Sequence, residues 1–262
     1  MKTLRAAAAG LAALLALGSA GCGGDGPGAG TGTGGGPVTG PITVFAAASL
    51  TESFTAIGEK FEAAHPGATV TFNFAGSSAL ATQINEGAPA DVFAAASPQN
   101  LRIVTDAGNG SGEPTTFVRN QLVIAVGKGN PKKITGLAGL AGPDLKVALC
   151  ADAVPCGAAA ETAIAAAGVT ITPVTLEQDV KAALSKVELG EVDAALVYRT
   201  DARASAGEID AVEFPESAKA INDYPIVALK DARNTAGARA FIAYVLSPDG
   251  TRLLTDAGFQ VP

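Results

Sequence analysis

From Pro41 to its end the sequence switches repeatedly between two hydrophobic periods, and that switching restricts it to α/β folds. ITVFA at 42–46 is an unbroken run of strand length. Leu50, Phe54, Ile57 and Phe61 then recur at spacings of four, three and four, which is one face of a helix. His65-Pro66-Gly67 closes that helix. Residues 69–74 alternate as a strand, 78–86 read as a helix and 91–95 as a strand again. Further strands are expected at 121–126, 145–149, 193–198, 211–214 and 226–229, with helices at 157–167, 179–189 and 236–246. Heavy use of Ala and Gly, few aromatics and no Trp suit helices packed closely on sheets better than a β-sandwich. The expectation is an α/β chain with mostly parallel sheets.

The first 21 residues read as a signal peptide. Lys2 and Arg5 make a short positive start, and the apolar run at 6–17 is too short to span a membrane. The sequence LGSAGC at 17–22 then resembles a bacterial lipoprotein box, with Cys22 as the lipidated residue. An ordinary signal peptide with a stray cysteine is the alternative. Residues 23–40, GGDGPGAGTGTGGGPVTG, read as a flexible tether that holds the fold off a membrane surface. The formal net charge is −7, and cleavage after residue 21 leaves 16 basic against 25 acidic residues, or −9. No basic patch stands out, which excludes nucleic acid as the expected partner.

Ligands of open α/β sheets sit beyond the carboxyl ends of strands, where helix N-termini point. Five such joints carry small or hydroxyl residues: Ala48-Ser49, Gly76-Ser77-Ser78, Val154 to Gly157, Gln178-Asp179-Val180 and Tyr198-Arg199-Thr200. Unpaired N–H groups and a positive dipole end suit an anion there. Lys181 and Arg199 lie adjacent but could point outward. Each serine taken alone could equally be an N-cap, and Tyr198 could be a core or rim residue. Asp91 and Asp193 fall at strand starts, away from this end, which gives paired-carboxylate catalysis little support. His65 reads as a loop residue. With only two cysteines near each other and one distant histidine, a zinc site is incomplete.

These stretches together resemble the periplasmic molybdate-binding proteins of molybdate ABC transporters, over residues 42–262. The matching pieces are ITVFAAASLTESF, FAGSSALATQINEGAPADVFAAAS, VPCG, LEQDVKAAL, ALVYRTDA and INDYPIVAL. The resemblance implies a two-lobed periplasmic-binding-protein fold of type II, each lobe a mostly parallel sheet flanked by helices. The expected lobes are 41–120 with 224–262, and 121–223. It implies an oxyanion held by Ser49, by Ser77 (with Ser78 as the possible register error), by the amides of Cys156 and Val180, and by the Tyr198 hydroxyl. Cys156 stands where the family often has Ala, which matters little if only its N–H is used. FAAAS occurs twice, at 45–49 and 93–97. The first copy presents Ser49, its alanines letting the backbone come close. The second, followed by Pro98 rather than a capping turn, is expected to pack beside the cleft.

The implied function is capture of molybdate or tungstate by a monomeric extracytoplasmic lipoprotein that delivers it to a membrane permease. No cofactor, no catalytic residue and no directly coordinated metal are expected. The same architecture binding sulfate, phosphate or a small organic acid is the alternative. A thiol oxidoreductase using Cys150 and Cys156 is a poorer one, because their spacing lacks the C-x-x-C form. In an exported chain these two cysteines, both in ALCADAVPCG, are expected to form a disulfide. The rival is two free buried thiols.

Overall fold

The computed structural model describes residues 37–262, so the expected signal peptide, Cys22 and most of the expected tether lie outside the described residues. Among the described residues no helix is long and apolar enough to cross a membrane. The chain runs β1 (Thr39–Ala47), α1 (Thr51–Ala64), β2 (Gly67–Ala75), α2 (Ser77–Asn85), β3 (Val92–Ala94), α3 (Pro98–Asp106) and β4 (Gly110–Asn120). It continues through β5 (Leu122–Gly127), β6 (Val147–Cys150), α4 (Pro155–Ala167), β7 (Thr175–Glu177), α5 (Val180–Glu188), β8 (Ala194–Tyr198), α6 (Arg199–Ala204) and β9 (Ile209–Val212). It closes with β10 (Asn222–Leu229), α7 (Thr235–Val245) and α8 (Pro248–Ala257).

Two five-stranded sheets result, in the orders β2-β1-β3-β10-β4 and β7-β6-β8-β5-β9. In each, the first three strands pair in parallel through helical crossovers, and one reversed strand pairs antiparallel with both of its neighbours. Four of the five strands therefore run the same way. The reversed strands, β5 and β10, are the ones that begin just after the chain passes from one sheet to the other. The sheets are thus mixed at one pairing edge and built on the same plan, with β1, β2 and β3 corresponding to β6, β7 and β8.

Each sheet has its own core. Leu50, Phe54, Ile57 and Phe61, the predicted face of α1, are fully buried against the first sheet, and Phe54 and Phe61 both meet Phe241 of α7 edge-on. The second core joins β5, β6 and β8 to Val180, Ala183, Leu184 and Val187 of α5. His65 ends α1, its ring stacked on Phe61.

Five elements do not follow from the periodicities: β4, β7, α3, α6 and α8. The helix α3 corrects the reading of the second FAAAS. Ser97 is an N-cap whose hydroxyl accepts the Asn100 N–H at 3.2 Å, with Pro98 in the first turn. Proline there starts a helix, because the N–H it lacks has no partner at that position anyway.

Asp91 is 3 % exposed at the amino end of β3, where its carboxylate accepts the Thr43 N–H at 2.7 Å and the Asn234 N–H at 2.9 Å. Asp193 likewise accepts the Lys146 N–H at 2.8 Å. Both carboxylates hold backbone together rather than facing a site. Asp91→Ala leaves two N–H groups without their acceptor, at roughly 1–3 kcal/mol each. The expected outcome is a urea midpoint lowered by an amount equivalent to about 2 kcal/mol or more, with anion affinity unchanged.

Candidate oxyanion site

A small cavity, about 10 Å³ in volume, lies between the carboxyl ends of the two sheets. All five joints contribute to its wall: Ala48 and Ser49 after β1, Gly76 and Ser77 after β2, Val154 to Cys156 after β6, Asp179 and Val180 after β7, and Tyr198 at the end of β8. Ala96 after β3 completes the set. The site is therefore made from corresponding strand ends of the two sheets. Ser49, Ser77, Cys156, Val180 and Tyr198 are all on its wall, whereas Ser78 is not. The space is smaller than the 300–1,000 Å³ usual for organic ligands.

Neither wall serine is an N-cap. Ser49 lies in a short 3₁₀ turn before α1, and Ser77 is the first residue of α2. Ser77 Oγ accepts the Ala96 N–H at 3.0 Å. The second FAAAS is therefore part of the wall, and its backbone positions Ser77, which corrects the expectation that it packs beside the cleft. Ser49 Oγ lies 2.8 Å from the Tyr224 hydroxyl. Tyr198 is 1 % exposed, and its hydroxyl has no hydrogen-bond partner among the described residues. Burial, with Tyr224 and Asp201 nearby, holds the Tyr198 phenol well above its ordinary value, so it stays a protonated donor.

Pro155 and Cys156 open α4, and Val180 opens α5. The Cys156 and Val180 amides have no partner among the backbone hydrogen bonds of the described residues. The Cys156 side chain is joined to Cys150 in a disulfide, six positions back. Gly157 fits under that loop because a Cβ there would stand 2.1 Å from the Ala151 carbonyl oxygen. At Gly76 a Cβ would stand 2.2 Å from the Gln178 carbonyl oxygen, across the gap between the sheets.

Among the described residues no cationic side chain lines the cavity. Lys181 Nζ lies 2.6 Å from Glu52 and 3.2 Å from Asp201, and Arg199 is paired with Glu213. Burial would lower the Lys181 ammonium, but Asp201 and Glu52 outweigh it and its pKa is raised. The one carboxylate on the wall, Asp179, caps α5 by accepting the Ala182 N–H at 2.9 Å. Among the described residues no group of three or more His, Cys, Asp or Glu is placed to hold a metal ion. What remains is a small pocket of neutral donors at helix N-termini, suited to an anion without its own proton.

The residues 42–260 match the family model described as bacterial extracellular solute-binding protein. The chain belongs to that family. Among its relatives, the molybdate-binding protein ModA of Mycobacterium tuberculosis (strain ATCC 25618 / H37Rv) is 44% identical over 254 residues, which is 96% of either chain. Two solved structures share the fold of this solute-binding protein. The periplasmic molybdate-binding protein of Azotobacter vinelandii has a TM-score of 0.74 at 20% identity, over 84% of this chain and 99% of that one. The sulfate-binding protein SubI of Mycobacterium tuberculosis H37Rv also scores 0.74, at 18% identity over 84% and 86%. The fold alone therefore does not choose the anion.

Three polar residues behind the wall, Tyr224, Asn120 and Asp201, were not picked out as functional by their sequence context. Asp201 is fully buried, and burial raises its carboxyl to about 6, against the opposing pull of Lys181. An unfolded aspartate titrates near ~3.9. Between those values the folded protein binds more protons than the unfolded chain, so this group's contribution to stability falls as pH rises through about 6. Asp201→Asn removes that dependence. Subtracting the variant's unfolding free energy from that of wild type, at each pH from 4 to 7, should give a difference that declines through pH 6. A flat difference would mean that Lys181 keeps Asp201 ionised throughout.

Proposed function

We propose that this protein captures molybdate or tungstate outside the cytoplasm and delivers it to an ABC permease. The observation that carries the reading is the Tyr198 hydroxyl, buried and unpartnered on the wall of a cavity that otherwise offers serine hydroxyls and helix-terminal amides. A buried hydroxyl without a partner costs free energy that a bound acceptor returns. The 44% identity to a molybdate-binding protein supports molybdate in particular. The ligand set is Ser49, Ser77, Tyr198 and the amides of Cys156 and Val180. The two lobes, 41–120 with 224–262 and 121–223, close over the ion, and lipidation at Cys22 tethers the monomer to the outer face of the membrane. The protein has no catalytic role in this reading.

A fully deprotonated dianion matches a site of donors whose one wall carboxylate, Asp179, is engaged as the α5 cap. Hydrogen phosphate brings a proton that needs an acceptor, and leaving it without one costs about 1–3 kcal/mol. Sulfate is distinguished only by size. In a thermal-unfolding panel on the soluble form, residues 23–262, molybdate and tungstate should each raise the melting temperature. At a hundredfold excess over the dissociation constant the stabilisation is about 2.7 kcal/mol. Sulfate and phosphate at equal concentration should do little, and an equal shift with sulfate would reject molybdate selectivity.

Tyr198→Phe removes one donor and keeps the ring. Hydrogen bonds to charged groups contribute about 1.5–3 kcal/mol, so molybdate affinity should fall roughly ten- to a hundredfold by titration calorimetry. Unliganded stability should hardly change. Unaltered affinity with an intact fold would remove Tyr198 from the ligand set.

A further inference from the structure

Behind Ser49 lies a chain of buried polar groups that the ligand set does not include. Tyr224 is fully buried on β10, with its hydroxyl 2.8 Å from Ser49 Oγ and 3.5 Å from Asn120 Nδ2. Asn120 Nδ2 also donates to Thr200 Oγ1 at 2.8 Å. The Asn120 amide can face only one way, because its Oδ1 accepts the Gln121 N–H at 3.0 Å. Flipping it would set two donors against each other there. Asn120 therefore presents hydrogens, not a lone pair, to Tyr224. Of the groups hydrogen-bonded to the Tyr224 hydroxyl among the described residues, Ser49 Oγ is the one that can accept the phenol hydrogen. Once Ser49 accepts from Tyr224, its own hydrogen is free to point into the cavity. Ser77 is arranged alike by different means, since the Ala96 N–H fills its acceptor side.

We propose that Tyr224, aligned by Asn120, is a positioning residue that fixes Ser49 as a hydrogen-bond donor and so makes the site reject protonated anions. This rests on the reading of Ser49 as an anion ligand. A serine left to itself rotates, and can donate to one anion and accept from the hydroxyl of another. Here the chain Asn120 → Tyr224 → Ser49 fills one Ser49 lone pair and frees its hydrogen, which favours donation into the cavity over acceptance from it. Burial keeps the Tyr224 phenol protonated, so the direction of donation does not reverse at physiological pH.

The test compares molybdate with hydrogen phosphate at pH 8, where both are dianions and only phosphate carries a proton. Dissociation constants are measured by calorimetry, or by competition against molybdate, for wild type, Tyr224→Phe and Tyr198→Phe. In Tyr224→Phe the Ser49 hydroxyl is released. Molybdate affinity should fall about tenfold, while phosphate affinity holds or rises, so the ratio between them narrows by about tenfold or more. Tyr198→Phe loses a donor to either anion and should weaken both alike. If Tyr224→Phe does not fold, Asn120→Asp replaces it. A carboxylate there accepts the phenol hydrogen and turns the Ser49 hydrogen away from the cavity. Its added charge acts on both dianions equally and cancels in the ratio. An unchanged molybdate affinity, an equal loss for both anions, or phosphate binding that stays undetectable would each overturn the proposal. A Tyr198→Phe variant with wild-type affinities would instead reject the ligand set itself.

Discussion

The structure depends on a confrontation of like ends. Parallel strands joined by helices aim helix N-termini past the carboxyl edge of a sheet, and here two sheets of the same plan set those edges against each other. Each side brings unpaired first-turn N–H groups and the positive end of its helix dipoles. Neither set can be satisfied by the other, because both only donate. An anion is the one kind of partner that serves both at once. The hydroxyls extend the same logic. Ser77 has its acceptor side filled from within the first sheet, and the Tyr198 phenol waits without a partner.

Positive charge is kept away from this meeting point. The chain carries a formal −7, and its nearest cations are spent on Glu52, Asp201 and Glu213. Long-range attraction cannot gather a dianion onto such a protein. In the proposed reading short-range dipoles hold the ion instead, since a low local dielectric strengthens every donor aimed at it. The Cys150–Cys156 disulfide serves the same end. It occupies the Cys156 side chain, while the amide of the same residue has no backbone partner among the described residues.

Much of this was legible in the residues. The four-three-four spacing from Leu50 to Phe61 named the buried face of α1, and four of the five joints follow expected strands, the exception being Gln178 to Val180 after β7. The strand β4 was hidden because most of its first half is exposed and Pro114 interrupts it, so it shows no alternation. Ser97-Pro98 and Ser247-Pro248 were readable helix starts, each serine capping the helix that follows. Choosing Ser77 over Ser78 needed coordinates, since one step along a helix turns a side chain by about 100°. The tie between Ser49 and Tyr224 spans 175 positions, and no local pattern announces it.

In the proposed reading, how a site without cationic side chains tells one dianion from another follows from the contact at Gly76. Its Cα already faces the Gln178 carbonyl so closely that a methyl group would not fit. Two backbones meeting in this way act as a stop, because neither can yield as a flexible side chain would. Ser49 and Ser77 sit on one side of the stop, and Cys156, Val180 and Tyr198 on the other. In the proposed reading the distance between these two donor groups has a floor. An anion smaller than that distance reaches one group and leaves the other short, whereas one that fills it meets both. Proton count is then read by the fixed direction of the hydroxyls, and size by the separation of the sheets, with no charged side chain required for either.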